Sequence, residues 1–187
     1  MKNVILKYGV ILFVICLITS AFLSGAYYLT KPRIEKQREL EEKQALDVVM
    51  PQAGGNFEEV KKDGELLYYK CFSDQTKQKL IGFVFKAQAK GYSSRINILA
   101  GVDLSGKITG IKILSQEETP GLGARITEPQ FYGQFAGKKI DELVVLRQKN
   151  QKNIEAITGA TISSEAVTKA VRERAQAILE VKTKNKK

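Results

Sequence analysis

The sequence has no histidine and no tryptophan, and only two of its 187 residues are cysteine. Without histidine there is no imidazole to act as general base, and no His-ligated zinc or haem. Cys16 falls inside a long apolar run and Cys71 stands alone elsewhere. An intrachain disulfide framework and a cysteine-rich metal or iron–sulfur site are therefore excluded. A serine or threonine hydrolase would need a base that the sequence does not identify. Clustered basic residues interleaved with aromatics are also missing, so despite a net charge of +10 the chain does not read as a nucleic-acid binder. The only dense cationic run is KTKNKK at 182–187, which suits either a solvated tail or an anionic membrane surface.

What is present begins with 23 uncharged, mostly aliphatic positions, Tyr8 to Thr30, enough to cross about 30 Å of hydrocarbon as a helix. Tyr8, Tyr27 and Tyr28 flank the run at both ends, as interfacial aromatics do. A cleaved signal peptide is the competing reading, because Ser24-Gly25-Ala26 is a small-residue stretch, but the run exceeds a signal core of about 7–15 residues. A lipoprotein anchor at Cys16 would want a small residue where Ile15 stands. A single-pass anchor over 1–30 is the expectation. Lys2 and Lys7 before it, against Lys31, Arg33 and Lys36 after it, tilt the basic-residue count toward a cytoplasmic C-terminal side.

Residues 31–50, rich in helix formers and ending before Pro51, predict a polar helical linker, and QAGGNF (52–57) a turn. The stretches 66–72, 80–92, 96–103 and 107–114 predict strands, with the Asp103–Gly106 sequence DLSG as a hairpin turn. In the last of these the alternation is imperfect: Ile108 is out of phase with Ile111 and Ile113. FYGQFAGK (131–138) suggests a short helix closing in a glycine turn, and 140–148 includes another strand. From Glu165 to Val181, Val167, Ala170, Val171, Arg174 or Ala175, and Ile178 share one face of an amphipathic helix. Strands grouped centrally with helices at the ends imply an α+β domain over 51–181, followed by a basic tail at 182–187.

Two stretches carry potential chemistry. In ETPGLG (118–123), Gly-x-Gly lacks the remainder of a dinucleotide fingerprint. It is a turn, with Pro120 fixing φ and Gly121 or Gly123 supplying positive φ, and it lets a flat ligand approach the backbone closely. In TGATISS (158–164), small residues and hydroxyls precede the terminal helix, where unpaired amides and the helix dipole favour a phosphate. N-capping by Ser163 or Ser164 is the alternative.

The apolar N-terminal span, residues 91–123, FYGQFAGK and AITGATISSEAV (156–167) together resemble the FMN-binding domain family shared by the RnfG-type subunits of Rnf/Rsx electron-transport complexes and by the NqrC subunits of sodium-pumping NADH:quinone oxidoreductases. The length is nearer that of the RnfG branch. The resemblance implies FMN esterified through its phosphate to a threonine of an [ST]-G-A-T motif, here Thr158-Gly159-Ala160-Thr161, with the ester on Thr161. A flavin transferase that uses FAD would install it. Glu155 stands where the transferase pattern usually has Asp, and it keeps the charge.

The resemblance further implies a cofactor site made of Thr161, Thr158, Gly159, Ala160 and Ser164 together with Glu118, Thr119, Gly121, Leu122 and Gly123, with Leu122 on the ring face. Thr158 belongs to the recognition motif, and Ser163 and Ser164 keep the capping role. The implied function is electron relay inside a membrane complex that links ferredoxin and NAD to a sodium or proton gradient. The implied partners are the other subunits, the transferase and the lipid bilayer, with no metal and no catalytic site of the chain's own. The resemblance also implies a flavin domain on the extracytoplasmic side of the cell membrane, against the basic-residue count. A non-redox ligand- or partner-binding module of the same fold, with Thr161 unmodified, is the rival expectation.

Overall fold

The computed structural model describes residues 2–62, 64–146 and 153–184. The chain divides into two compact units, Met1–Glu41 and Glu42–Lys187. Helix α1, Lys2–Val49, runs through both as a single 48-residue element with Pro32 inside it. The sequence suggested a separate polar helix after Pro32. One missing amide is a local loss, and a helix this long absorbs it. In the first unit the large apolar side chains point outward, Phe22 and Tyr28 each being 80% exposed, and the helix is apolar enough and long enough to cross a membrane.

The second unit begins inside what the sequence presented as a linker. Ala45, Leu46, Val49 and Met50 are buried against the sheet, so the domain starts at about Glu42 rather than at residue 51. The sheet has five antiparallel strands in chain order: β1 (Phe57–Lys62), β2 (Glu65–Phe72), β3 (Leu80–Lys90), β4 (Arg95–Asp103) and β5 (Ile108–Ser115). β1, with its sequence FEEVKK, carries too few apolar residues to be recognised from pattern alone. Asp103 Oδ1 holds the β4–β5 hairpin by accepting the amides of Ser105 and Lys107 at 2.8 and 2.9 Å.

A bulge explains the broken alternation of β5. Gly101 pairs with Gly110 and Val102 with Ile108, leaving Thr109 as the extra residue, so Ile108 changes pleat and joins Ile111 and Ile113 on the buried face. Thr109 in turn donates its hydroxyl to the Val49 carbonyl at 2.8 Å, at the C-terminal end of α1. The opposed glycines leave room there, since a Cβ at Gly110 would stand 3.3 Å from that same carbonyl oxygen.

After β5 come α2 (Pro129–Tyr132), two short strands, β6 (Val145–Leu146) and β7 (Ile154–Glu155), that pair in parallel, and α3 (Thr161–Lys184). Of the strand anticipated at 140–148, Ile140–Glu142 form a 3-10 turn, Val145–Leu146 are extended, and 147–148 lie outside the described residues. Residues 185–187 of the basic tail also lie outside them, and the helix reaches Lys184.

The sheet is therefore covered on both faces. On one, Val167, Val171, Ala175 and Ile178 of α3 pack on Phe85, Ile96, Ile98, Val102 and Ile111. On the other, the end of α1 packs on Tyr69, Cys71, Val84 and Leu99. Each fully buried aliphatic side chain contributes about 1.5–3 kcal/mol. Glu42 pins α1 further: its carboxylate accepts from the Tyr69 hydroxyl at 2.7 Å and lies 2.7 Å from Lys86 Nζ. Burial pushes the Cys71 thiol up to about 12, so it serves as an apolar core residue and not as a thiolate.

Phe85 is fully buried between β3 and α3. Phe85→Ala is expected to cost about 3–5 kcal/mol, read as a lowered urea midpoint for the detergent-solubilised chain, whereas Gln88→Ala, on the exposed face of the same strand, is expected to move the midpoint by less than about 0.5 kcal/mol.

Candidate functional site

The two motifs meet at one carboxylate. Glu118 is only 5% exposed and accepts five hydrogen bonds: from the amides of Tyr92 (3.1 Å), Ser93 (3.0 Å) and Ser94 (2.9 Å), and from the hydroxyls of Ser94 (3.1 Å) and Ser163 (2.6 Å). The three amides are successive donors of the β3–β4 turn, a concave nest for an anion. Ser163 comes from the first turn of α3. One side chain thus ties the β3–β4 turn, the 118–123 loop and the start of α3 together.

The backbone is shaped to let it in. A Cβ at Gly91 would fall 2.5 Å from Glu118 Oε1, and one at Gly123 2.7 Å from Oε2. Burial by itself raises the Glu118 pKa, but the bonds from Ser163 and from the Ser94, Ser93 and Tyr92 amides outweigh it and hold the carboxyl below its ordinary value of 4.5.

Next to this knot the loop turns at Thr119-Pro120-Gly121-Leu122. The Leu122 amide bonds the Thr119 carbonyl at 3.2 Å and Gly121 has φ +76°, the residue that supplies positive φ here. A second left-handed glycine, Gly159 at φ +79°, delivers the chain to α3, and a Cβ on it would press 3.0 Å from Leu122 Cδ2. Between the two loops opens a cleft of about 450 Å³. Its walls bring together Glu118, Thr119, Leu122, Gly123, Gly159, Ala160 and Thr161, all anticipated from sequence. Tyr92, Ile162 and Ser163 join them without having been singled out as cofactor ligands.

The structure separates the four hydroxyls of 158–164. Neither Ser163 nor Ser164 caps the helix. Ser163 donates to Glu118, while Ser164 is fully buried, donates to the Ala160 carbonyl at 2.9 Å and accepts the Ile157 amide at 3.1 Å. Helix α3 starts at Thr161, so both serines already lie within its first turn, where side chains turn inward, and that geometry removes them from the cap. Thr158 is exposed and lines a separate hollow with Arg125, Glu128, Gln134 and Glu155. Of these four, only Thr161 lines the cleft with a hydroxyl that no partner among the described residues engages. Of the expected site residues, Thr158, Gly121 and Ser164 are outside its lining.

The chemistry of this cleft suits a planar aromatic ligand that carries phosphate. Its volume lies within the ordinary range for small-molecule sites, about 300–1,000 Å³. Thr161, Ile162 and Ser163 are the first residues of α3, where helical amides have no carbonyl one turn back and the dipole is positive. Tyr92, Leu122 and Ile162 are 72%, 45% and 54% exposed, large apolar surfaces grouped around the opening. The neighbouring Glu118 keeps its charge, and its five donors hold its oxygens toward the turn and away from a ligand in the cleft.

The family model of the FMN-binding domain matches residues 91–176, and that of the RnfG N-terminal region matches residues 1–49. The chain is 37% identical over 166 residues to the G-type subunit of the proton-translocating ferredoxin:NAD(+) oxidoreductase complex of Clostridium ljungdahlii, covering 87% of this chain and 85% of that one. It is 34% identical over 188 residues to the G-type subunit of the Na(+)-translocating ferredoxin:NAD(+) oxidoreductase complex of Acetobacterium woodii, covering 90% and 89%. Among solved structures, the C-type subunit of the Na(+)-translocating NADH-quinone reductase of Parabacteroides distasonis superposes with a TM-score of 0.57 at 20% identity, over 78% of this chain and 94% of that one, and so shares the fold.

Removing the knot has a readable cost. Glu118→Ala is expected to lower stability by about 3 kcal/mol, since it leaves Ser163 and three amides without their acceptor. Because the native carboxyl titrates below its unfolded value, its contribution is complete above the unfolded pKa and disappears as pH falls through the lower native one. Urea midpoints taken from pH 7 down to pH 3 should fall for the wild type on the acid side, and Glu118→Gln should flatten that fall.

Proposed function

The chain belongs to the RnfG family of ion-translocating oxidoreductase subunits, and from that membership we propose that it is a membrane-anchored flavoprotein subunit that relays electrons through FMN esterified to Thr161. The observation that carries the site is the sorting of the hydroxyls: Ser163 and Ser164 are committed to the protein, Thr158 faces another hollow, and Thr161 is free at the cleft and at the positive end of α3.

When bound, FMN supplies the exchange of electrons, and the protein supplies position and surroundings. The Thr161 oxygen would carry the phosphate, and the first-turn amides of α3 would solvate its charge. Leu122, Ile162 and Tyr92 offer apolar surface to the ring and keep water from it. Thr119, Gly123 and Ala160 would offer backbone groups to the cofactor from the wall of the cleft. Glu118 acts as a positioning residue: its oxygens are occupied by protein donors, so it holds the walls of the cleft and does not itself bind the ligand.

A flavin transferase makes the ester from FAD, with AMP as the leaving group. Exposed Thr158 and Glu155, together in the second hollow, form part of the surface that this enzyme reads. The complex couples electron transfer between ferredoxin and NAD to the movement of sodium or protons, as the names of both relatives state of theirs. Residues 8–30 cross the cell membrane once, with the flavin domain on the extracytoplasmic side.

Co-expressed with a flavin transferase, the wild-type chain should give a fluorescent band on a denaturing gel under ultraviolet light, and Thr161→Ala should give none. Thr158→Ala is expected to weaken the band by impaired recognition while leaving the urea midpoint unchanged. A dark wild-type band, or an equally bright Thr161→Ala band, would refute the attachment. Added protease should degrade the domain in spheroplasts with intact membranes, and protection there would reverse the topology.

A further inference from the structure

A groove of about 690 Å³ lies away from the cleft, between β3 and α3. It exists because the sheet forks. β2 pairs with β3 only from Tyr69–Phe72 against Leu80–Val84; beyond Val84 the described residues of β2 pair with β1 alone. Residues Phe85–Lys90 of β3 are consequently paired with β4 on one side and, among the described residues, with no strand on the other. At the fork Arg174 of α3 reaches across and donates to the Leu67 carbonyl at 3.3 Å. The gap beside the open edge is walled by one stripe of α3 in which small residues leave space: Ala166, Ala170 and Ala177.

An open strand edge presents a row of unsatisfied amides and carbonyls, the template for strand addition. Six residues at about 3.3 Å each give a template about 20 Å long. The charges around it select the occupant. Lys86, Lys90, Lys169 and Arg174 line the groove with one lining anion, Glu173; Lys169 lies 3.9 Å from Glu173 and Lys86 2.7 Å from Glu42, so the lining keeps an excess of positive charge. This arrangement repels a second copy of the same lysine-bearing strand and attracts an acidic one. The groove also leads to the cleft: Lys90 is two residues from Tyr92, and Ala166 is one helical turn from Ile162.

We infer that this groove receives an extended, acidic segment of another protein of the complex, which adds as a strand to Phe85–Lys90 and brings that protein next to the flavin cleft. The inference rests on the reading of the chain as part of a complex and is independent of the bond at Thr161.

The test uses the assembled, membrane-extracted complex. A photo-reactive benzoylphenylalanine replacing Gln88, whose side chain is on the exposed face of the open stretch, should cross-link to one segment of another protein of the complex, and mass spectrometry should find that segment rich in Asp and Glu. Those amides of residues 85–90 that point away from β4 should exchange hydrogen at least tenfold more slowly in the complex than in the isolated chain. Lys90→Glu combined with Lys169→Glu should reduce the cross-link at least tenfold. Cross-links only to lipid, to this chain or to a non-acidic segment overturn the inference, as do equal exchange in both states or an undiminished cross-link in the reversed pair. The flavin band is read from the same gels. Its absence alongside an intact cross-link counts against Thr161 and not against the groove.

Discussion

The candidate site depends on a buried carboxylate whose charge is met by neutral donors. Glu118 draws the β3–β4 turn, the 118–123 loop and the head of α3 onto a single pair of oxygens. A carboxylate so far out of water is tolerable only if its lone pairs are used, and here the donors are backbone amides already fixed by a tight turn, so little further ordering is needed. Gly91 and Gly123 follow from the same requirement, because any side chain there would occupy the space the carboxyl needs. The cleft is thus a consequence of how an internal anion is solvated.

That arrangement also organises the electrostatics for a second anion. With the Glu118 oxygens taken up by the β3–β4 turn and Ser163, the positive end of α3 remains open to a phosphate, and the free hydroxyl of Thr161 stands at that end. Ser163 and Ser164 are drawn inward by Glu118, Ala160 and Ile157, so the hydroxyls that a sequence reading assigns to capping serve instead to shape the turn. The apolar rim of Tyr92, Leu122 and Ile162 has the exposure expected of surfaces that meet a ligand and not of side chains belonging to the core.

The sheet carries this site because both of its faces are clamped. The C-terminal end of α1 closes one face through Val49, Met50 and the Glu42–Tyr69 bond, and α3 closes the other. The bulge at Thr109 reconciles them: it rotates Ile108 into the α3-side core and turns the threonine hydroxyl to the last carbonyls of α1. The fork after Val84 has a related origin. Once β2 diverges, no described strand continues the sheet past β3 on that side of α3, and a groove results.

Much was legible in the chain because the signals are local. The apolar run before residue 31, the four central strands, the hairpin at Asp103 and the buried stripe through Val167, Val171 and Ile178 follow from periodicity and turn chemistry, whereas the motifs at 118–123 and 158–164 were joined into one site only by the family resemblance. The rest was not legible, because it depends on partners distant in sequence. The end of α1 is composed like a solvated linker and becomes core only when the sheet meets it. β1 is too polar to show a pattern and is held by its pairing with β2. The imperfect phase of β5 has no explanation until Thr109 is seen as the extra residue. Which hydroxyl stays free is decided by Glu118, 45 residues before Ser163, because a hydrogen bond selects its partner by position in space and the sequence records only position along the chain.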